Sequence, residues 1–182
     1  MKKIIVIMII LLTFVGCSAG QQKDNGGEGE NAYVRCKEAF DGLKNNDENE
    51  MMLFSYPGLD SNQQFFLSSE QGLRLRSYMS YKVTKMEEDE SDEDCQTCEL
   101  TVTITSIDLQ KVIEEYEKLD QLPLNKATLL EAIDNSKSTT VTNTVTVEAE
   151  LYPNIDIWRI NLNSDVFNAL FPNYDKYLEW LG

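Results

Sequence analysis

The sequence contains no histidine among its 182 residues, and this absence excludes several kinds of chemistry. Catalysis by a serine or cysteine nucleophile paired with histidine needs an imidazole base. Zinc, copper and non-haem iron sites of the histidine type are excluded for the same reason. The chain also lacks the one side chain whose unperturbed pKa lies near neutrality.

Basic residues are scarce as well. The 16 lysines and arginines stand against 31 aspartates and glutamates, which gives a net charge of −15. Nucleic-acid binding needs a basic footprint, so we do not expect that class of partner. Such a surface also repels anionic headgroups. The composition favours a cationic or neutral partner, whether an envelope protein, a peptide or a small molecule, with binding that weakens as salt rises.

The one long apolar run covers residues 4–16 and follows two lysines. Thirteen helical residues cover about 20 Å, less than the roughly 30 Å of a bilayer core, so we interpret residues 1–16 as a signal peptide. Val15-Gly16-Cys17 resembles a bacterial lipobox, in which the cysteine thiol receives a diacylglycerol and the chain is cut just before it. Two acyl chains are sufficient for stable anchoring.

The segment that follows predicts the domain organisation. Residues 18–31, SAGQQKDNGGEGEN, are rich in Gly, Asn and Glu without a large apolar side chain, so we interpret residues 17–30 as a flexible tether that follows the lipidated Cys17. Residues 31–182 are long enough for a single domain with its own core. Removal of Lys2 and Lys3 from the 16 basic residues leaves 14 against 31 acidic ones, a net charge of −17. We therefore expect a domain on the extracytoplasmic face of the cell membrane, held there by lipid alone.

Apolar spacing predicts helices first and strands later. An amphipathic helix is expected over residues 31–45, with Tyr33, Cys36, Phe40 and Leu43 on one stripe. Two short helices are expected next, capped by Asp47 and by Ser61. We predict strands over 78–86, 98–105, 140–152 and 155–162, and helices over 108–119 and 125–133. A last helical region is capped by Ser164 or Asp165. Segregated helices and hairpins predict an α+β fold with an antiparallel sheet and a helical insert between strands.

The order of three segments resembles a known family. YKVTKM, ELTVTITSIDLQKVIEEY and VTVEAELYPNIDIWRINLN follow an early amphipathic helix. Over about residues 31–172 this order is similar to Gram-positive lipoproteins with a nuclear-transport-factor-2-like (cystatin-like α+β cone) domain, several of them of unknown function. The resemblance implies a curved antiparallel sheet with the N-terminal helices packed on its concave face, often around a pocket. The resemblance includes no catalytic motif, so it assigns no catalytic residue to this sequence.

Cys36, Cys95 and Cys98 are the cysteines of the domain. Cys95 and Cys98 form a CxxC motif, but a redox CxxC is typical of a helix N-terminus, and nearby acids raise a thiol pKa. Cys36 lies on the predicted buried stripe of the first helix. Cys98 lies on the same side of its strand as Leu100, Val102 and Ile104, the side predicted to face the core. We therefore expect these two to be neighbours in the core, as thiols or as a disulfide, with Cys95 as the other partner available to Cys36.

Two further features invite a functional interpretation. The run Glu87–Asp94 holds seven acids in eight positions, which could bind Ca²⁺ but lacks the spacing of an EF-hand and is typical of a solvated hairpin tip. Tyr78, Asp156 and Trp158 could line a pocket in which an aspartate and a tyrosine transfer protons. Aromatic residues at such positions are more often part of the core.

The function favoured by the sequence is therefore binding without catalysis. We expect a lipid-anchored interaction domain with no metal, no cofactor and no catalytic residue. Two alternatives remain open: an enzyme that uses Asp and Tyr for proton transfer, and a thiol-redox role for the CxxC motif.

Overall fold

The computed structural model describes residues 32–89, 97–119, 124–152 and 157–181, with backbone alone at 85–89. Within these ranges the chain forms eight helices and five strands, which confirms the predicted α+β class. The helices are α1 (Ala32–Asn45), α2 (Glu48–Met51), α3 (Ser61–Ser68), α4 (Glu70–Ser77), α5 (Leu109–Leu119), α6 (Lys126–Ser136), α7 (Ser164–Leu170) and α8 (Tyr174–Leu181). The strands are β1 (Phe54–Ser55), β2 (Ser80–Asp89), β3 (Thr97–Ile107), β4 (Thr140–Tyr152) and β5 (Ile157–Asn161).

Helix α1 packs its apolar stripe into the core. Cys36, Phe40 and Leu43 are fully buried, whereas Tyr33 is 37% exposed, so the buried stripe begins one turn later than predicted. Gly42 lets α2 fold back onto α1, because a Cβ at this position would lie 2.2 Å from the Cβ of Glu50. The first helical pair of the domain therefore depends on a close backbone approach.

The helix starts show where local capping chemistry decides a boundary. Asp60, not Ser61, caps α3: its carboxylate accepts the Gln63 N–H at 2.9 Å, and the Gln63 side chain accepts the Asp60 N–H at 3.0 Å. This reciprocal pair is a capping box. Asn163 caps α7 in place of the predicted Ser164 or Asp165. Helix α4, capped by Ser69, was not predicted, and the strand expected from residue 78 begins only after it.

The five strands form one sheet in the order β1-β5-β4-β3-β2. Strands β2, β3, β4 and β5 pair antiparallel, as predicted. The two-residue β1 pairs parallel with β5, so the sheet is mixed and the prediction of a purely antiparallel sheet is wrong at that edge. Parallel pairing follows from the chain path, since β1 is reached from helices and not through a hairpin. Helices α5 and α6 lie between β3 and β4 in the chain, as the predicted insert.

The two long central strands separate a core face from an open face. On β3 the even positions from Cys98 to Ile104 are at most 1% exposed, as the alternation predicted. Odd positions of β3 from Thr97 to Thr105 and even positions of β4 point the other way and remain partly or fully exposed. Residues of α1, α5 and α7 join the buried cluster on the first face. Within the described ranges the threonines and glutamates of the other face remain at least partly accessible to solvent, and we refer to it as the open face.

The insert and the last two helices close the core around aromatic side chains. Helix α5 buries Leu109, Val112, Ile113 and Tyr116 as predicted. The backbone N–H of Asn125 donates to the Tyr116 hydroxyl at 2.7 Å, which joins α5 to the start of α6. Rings from α3, α7, α8 and the residues around them pack edge to face or tilted at 4.8–5.6 Å: Phe66, Phe167, Phe171, Tyr174 and Tyr177.

Candidate functional site

Two of the four cysteines lie in the core, and the other two lie outside the described residues. Cys36 is fully buried on α1 as a free thiol, and Cys98 is 1% exposed on the core face of β3. Burial raises the pKa of Cys36 to about 12, and the proximity of Cys98 adds to that rise. A thiol with such a pKa is a poor nucleophile at neutral pH. Cys17 and Cys95 lie outside the described residues.

The predicted pocket of Tyr78, Asp156 and Trp158 stays a prediction, and the two grooves described below are lined by neither Tyr78 nor Trp158. Tyr78 ends α4 just before β2, and its hydroxyl donates to Asp134 on α6 at 2.9 Å. Trp158 pairs in register with Leu151 at the far end of β4 and is partly buried against the core. Asp156 lies outside the described residues, as do residues 90–94 of the acidic run.

Tyr78 instead belongs to an ionic cluster between α4 and α6. Arg74 donates two hydrogen bonds of 2.6 Å to the two carboxylate oxygens of Asp134. These bonds from Arg74 lower the pKa of Asp134, and the bond to Asp134 raises the pKa of Tyr78. Asp134 therefore remains ionised at neutral pH and accepts three hydrogen bonds. The cluster joins two helices and offers no carboxylate that is ready to exchange a proton.

An open groove of about 610 Å³ runs beside this cluster, between α4 and α6. Leu73, Ala127 and Leu130 provide the apolar part of its lining. Two ion pairs join α4 to α6: Lys126 pairs with Glu70, and Arg74 pairs with Asp134. A second groove of about 420 Å³ lies between β4 and α7, with Asn143, Asp165 and Asn168 in its lining. Both grooves are open to solvent and not enclosed cavities.

The open face of the sheet carries a regular set of paired polar side chains. Threonines of β3 and β4 face each other in three successive register pairs, Thr101–Thr146, Thr103–Thr144 and Thr105–Thr142. Hydroxyls of the last two pairs lie 3.1 and 2.9 Å apart, within hydrogen-bond distance. Cross-strand threonine pairs stabilise a sheet and leave a flat hydroxyl surface. This surface was not singled out by the sequence analysis, although the TVTIT and TVTNTVT repeats signal it.

At one end of the same face the hydroxyl rows give way to carboxylates. Glu99 on β3 stands directly opposite Glu148 on β4, and Glu150 follows two positions further along. The side-chain amide of Asn161 on β5 donates to Glu148 at 3.1 Å and to Glu150 at 3.2 Å. Arg159 lies in register with Glu150, with its guanidinium carbon 5.1 Å from the centre of the Tyr152 ring. We name Glu99, Glu148 and Glu150 the acidic end of the open face.

Comparison with protein-family models, curated proteins and solved structures finds no match to this chain. Among the described residues no helix is long and apolar enough to cross a bilayer. The same residues contain no group of three or more cysteine, aspartate or glutamate side chains arranged to hold a metal ion. The fold and the surface chemistry are therefore the basis for any functional conclusion.

Proposed function

We propose that this chain is a lipid-anchored extracytoplasmic protein whose domain binds a partner without catalysis. The observation that carries the anchor is Val15-Gly16-Cys17 at the end of a short apolar run that follows two lysines. A diacylated Cys17 holds the domain at the cell membrane, and residues 17–30 act as its tether. The finer assignment of the fold, a nuclear-transport-factor-2-like cone with helices on the concave face, belongs to the same proposal.

The open face of the sheet supports the binding role. It presents ordered hydroxyl pairs and three carboxylates to solvent, while the helices occupy the other face. A net charge of −15 favours a cationic or neutral partner. Tethering raises the local concentration of the domain near other envelope components, to about the mM range, so that weak contacts are sufficient.

The anchor is tested by the intact mass of the protein extracted from membranes. We expect a mature chain that starts at Cys17 and carries the added mass of the acyl chains. Cys17→Ala should give an uncleaved precursor without that mass, whereas the matched control Cys95→Ala should retain both cleavage and acylation. A mature chain with another first residue and no acyl mass would contradict the anchor.

The binding role is tested by a partner screen at low and high salt. We expect association that weakens as ionic strength rises, because exposed charges are screened beyond about 10 Å at 0.1 M salt. Turnover of a substrate that is lost on substitution of one carboxylate would contradict the non-catalytic role. Binding that does not change with salt would contradict its electrostatic part.

A further inference from the structure

We infer that the edge of β4 beside α7 binds an extended segment of a partner polypeptide, which adds to the sheet as a further strand. This inference rests on the proposed binding function and specifies its partner class and its docking site. The name free edge is used below for the main chain of residues 140–147 on the side of β4 that faces away from β3.

The free edge exists because β4 is much longer than β5. Strand β4 has 13 residues, of which 140–150 pair with β3. On its other side β5 pairs with residues 149–152 alone, since β5 ends at Asn161 and the chain turns into α7. Among the described residues no strand pairs with the free edge. Alternate residues of an antiparallel strand direct both N–H and C=O to one side, so about four of each face this edge.

The groove of about 420 Å³ runs along the free edge, between residues 143–146 and one side of α7. Helix α7 is fixed against the sheet, because the Ser106 hydroxyl on β3 donates to the Ala169 carbonyl at 2.9 Å. On the core face Val145 is partly exposed, whereas Val102, its register partner on β3, is fully buried. The core face is therefore incompletely covered at the point where β4 meets the groove.

The free edge lacks the features that protect the opposite edge of the sheet. Strand β2, at that opposite edge, carries Lys82 and Lys85 and has a register shift between Val83 and Lys85. Charged side chains and bulges on an edge strand prevent pairing with another chain. Residues 140–147, TVTNTVTV, include no charged residue, proline or glycine, and they pair with β3 without a register shift. Such an edge is a template for the addition of a β-strand.

The surroundings of the free edge indicate the side chains of the partner. An added strand directs alternate side chains to the two faces of the sheet. On the core face an apolar side chain would contact Val145, and a cationic one would lie near Asp165, which is exposed and forms no salt bridge among the described side chains. On the open face, threonines would continue the hydroxyl rows of β3 and β4.

The test uses the full chain, extracted in detergent, and the peptide TVTKTVTK at low salt. The peptide is added at up to about 1 mM, the local concentration that a tether provides. Two further peptides carry N-methyl groups, one on its threonines and the other on its valines and lysines. Each keeps the side chains and the charge but loses the N–H donors of one edge. We expect one of them to bind at least about tenfold more weakly than the other, because only one edge pairs with β4.

Amide hydrogen exchange and two charge variants locate the bound peptide. We expect slower exchange within residues 140–147 and no change within residues 80–84 of β2. Asp165→Lys should weaken binding by about tenfold. Its matched control, Asp175→Lys, changes the charge by the same amount in the first turn of α8 and should have an effect of less than about twofold. Asp165→Asn should weaken binding by about threefold, which keeps the test valid if the lysine variant does not fold.

Several outcomes would overturn the inference. Absence of binding at low salt would do so, and equal affinity of the two methylated peptides would mean that the main chain does not pair. Equal losses for Asp165→Lys and Asp175→Lys would mean that net charge attracts the peptide. Protection of residues 140–147 in a dimer without peptide would mean that a second copy covers the edge. A partner from the salt-dependent screen that protects other residues would contradict this site and leave the proposed function intact.

Discussion

Arg76 is a buried arginine, and arginine is among the residue types that are rarely fully buried. It is 1% exposed, and its guanidinium donates to the backbone carbonyl of Leu43 in the last turn of α1. Asn46, whose φ of 57° ends that helix in the left-handed region, accepts from the same guanidinium at 3.5 Å. Burial lowers the pKa of Arg76 to about 10. The partial negative charge of a helix C-terminus compensates a buried cation, so Arg76 fixes the corner between α1 and α2.

The pair of Arg74 and Asp134 should make stability depend on pH at the acid end. The pKa of Asp134 is lower in the folded state than in the unfolded state, because Arg74 donates two hydrogen bonds to its carboxylate. Its contribution is therefore present above the unfolded pKa, about 3.9, and is lost as pH falls through the folded pKa. Because both side chains are more than a third exposed, we expect less than about 1 kcal/mol.

Urea unfolding of wild type and Asp134→Asn at neutral pH and near pH 2.5 measures this contribution. We expect the variant to be less stable at neutral pH and the difference to shrink towards pH 2.5. Glu131→Gln, on the same helix and exposed, is the matched control and should leave both values unchanged. A stability difference of the same size at both pH values would contradict a role for the ionised carboxylate.

Helix α3 allows a direct comparison of two candidate caps. Asp60→Ala removes the acceptor of the Gln63 N–H and half of the capping box, so we expect a loss of about 1 kcal/mol in the free energy of unfolding. Ser61→Ala, which alters the residue that the sequence favoured, should change it by less than about 0.5 kcal/mol. Thermal or urea unfolding of both variants measures the contrast. Equal effects would mean that the capping box does not stabilise the helix in solution.

Strong periodicity is what made elements predictable from this sequence. The two-residue alternation placed β3 and β4 correctly, and β4 has the predicted bounds of 140–152. Helix α5 was equally clear, since its apolar residues recur every three or four positions. Helix α4 was missed because EQGLRLRS carries few apolar residues and one of its arginines, Arg76, is buried. A two-residue strand such as β1 has no period at all, and its parallel partner depends on the tertiary fold.

The candidate site was predictable only in part for a related reason. The threonine repeats define which side chains face solvent, but the acidic end appears only when the β3–β4 register places Glu99 opposite Glu148. Asn161 is separated by 13 and 11 residues from the glutamates that it holds, and its own support comes from Ser55, 106 residues away. Contacts over such separations come from packing and register, which local sequence patterns do not encode. The place of Tyr78 at the end of α4 and its bond to Asp134 were not predicted, because helix α4 itself was not recognised.

The whole domain divides its tasks between the two faces of one sheet. Helices, aromatic rings and the buried thiols fill one face, where packing makes the fold stable. Hydroxyl pairs and carboxylates occupy the other, where substitutions change surface chemistry and leave the core intact. Under the proposed lipid anchoring, the open face would remain accessible to a partner while the lipid holds the chain at the membrane.

The two core thiols should report on cooperative unfolding of the whole domain. Cys36 and Cys98 are 0% and 1% exposed, and burial raises the pKa of Cys36 to about 12. The thiolate is the reactive form, so an alkylating reagent should reach both residues only after global unfolding. We expect labelling of both, measured by peptide mass across a urea series, to follow the loss of circular dichroism with one midpoint. Cys36→Ser and Cys98→Ser assign the two labelled peptides and serve as controls. Labelling of either thiol well below that midpoint would contradict the prediction and show that α1 separates from the sheet locally. If neither residue is labelled in the unfolded chain until a reductant is added, the two thiols are joined as a disulfide.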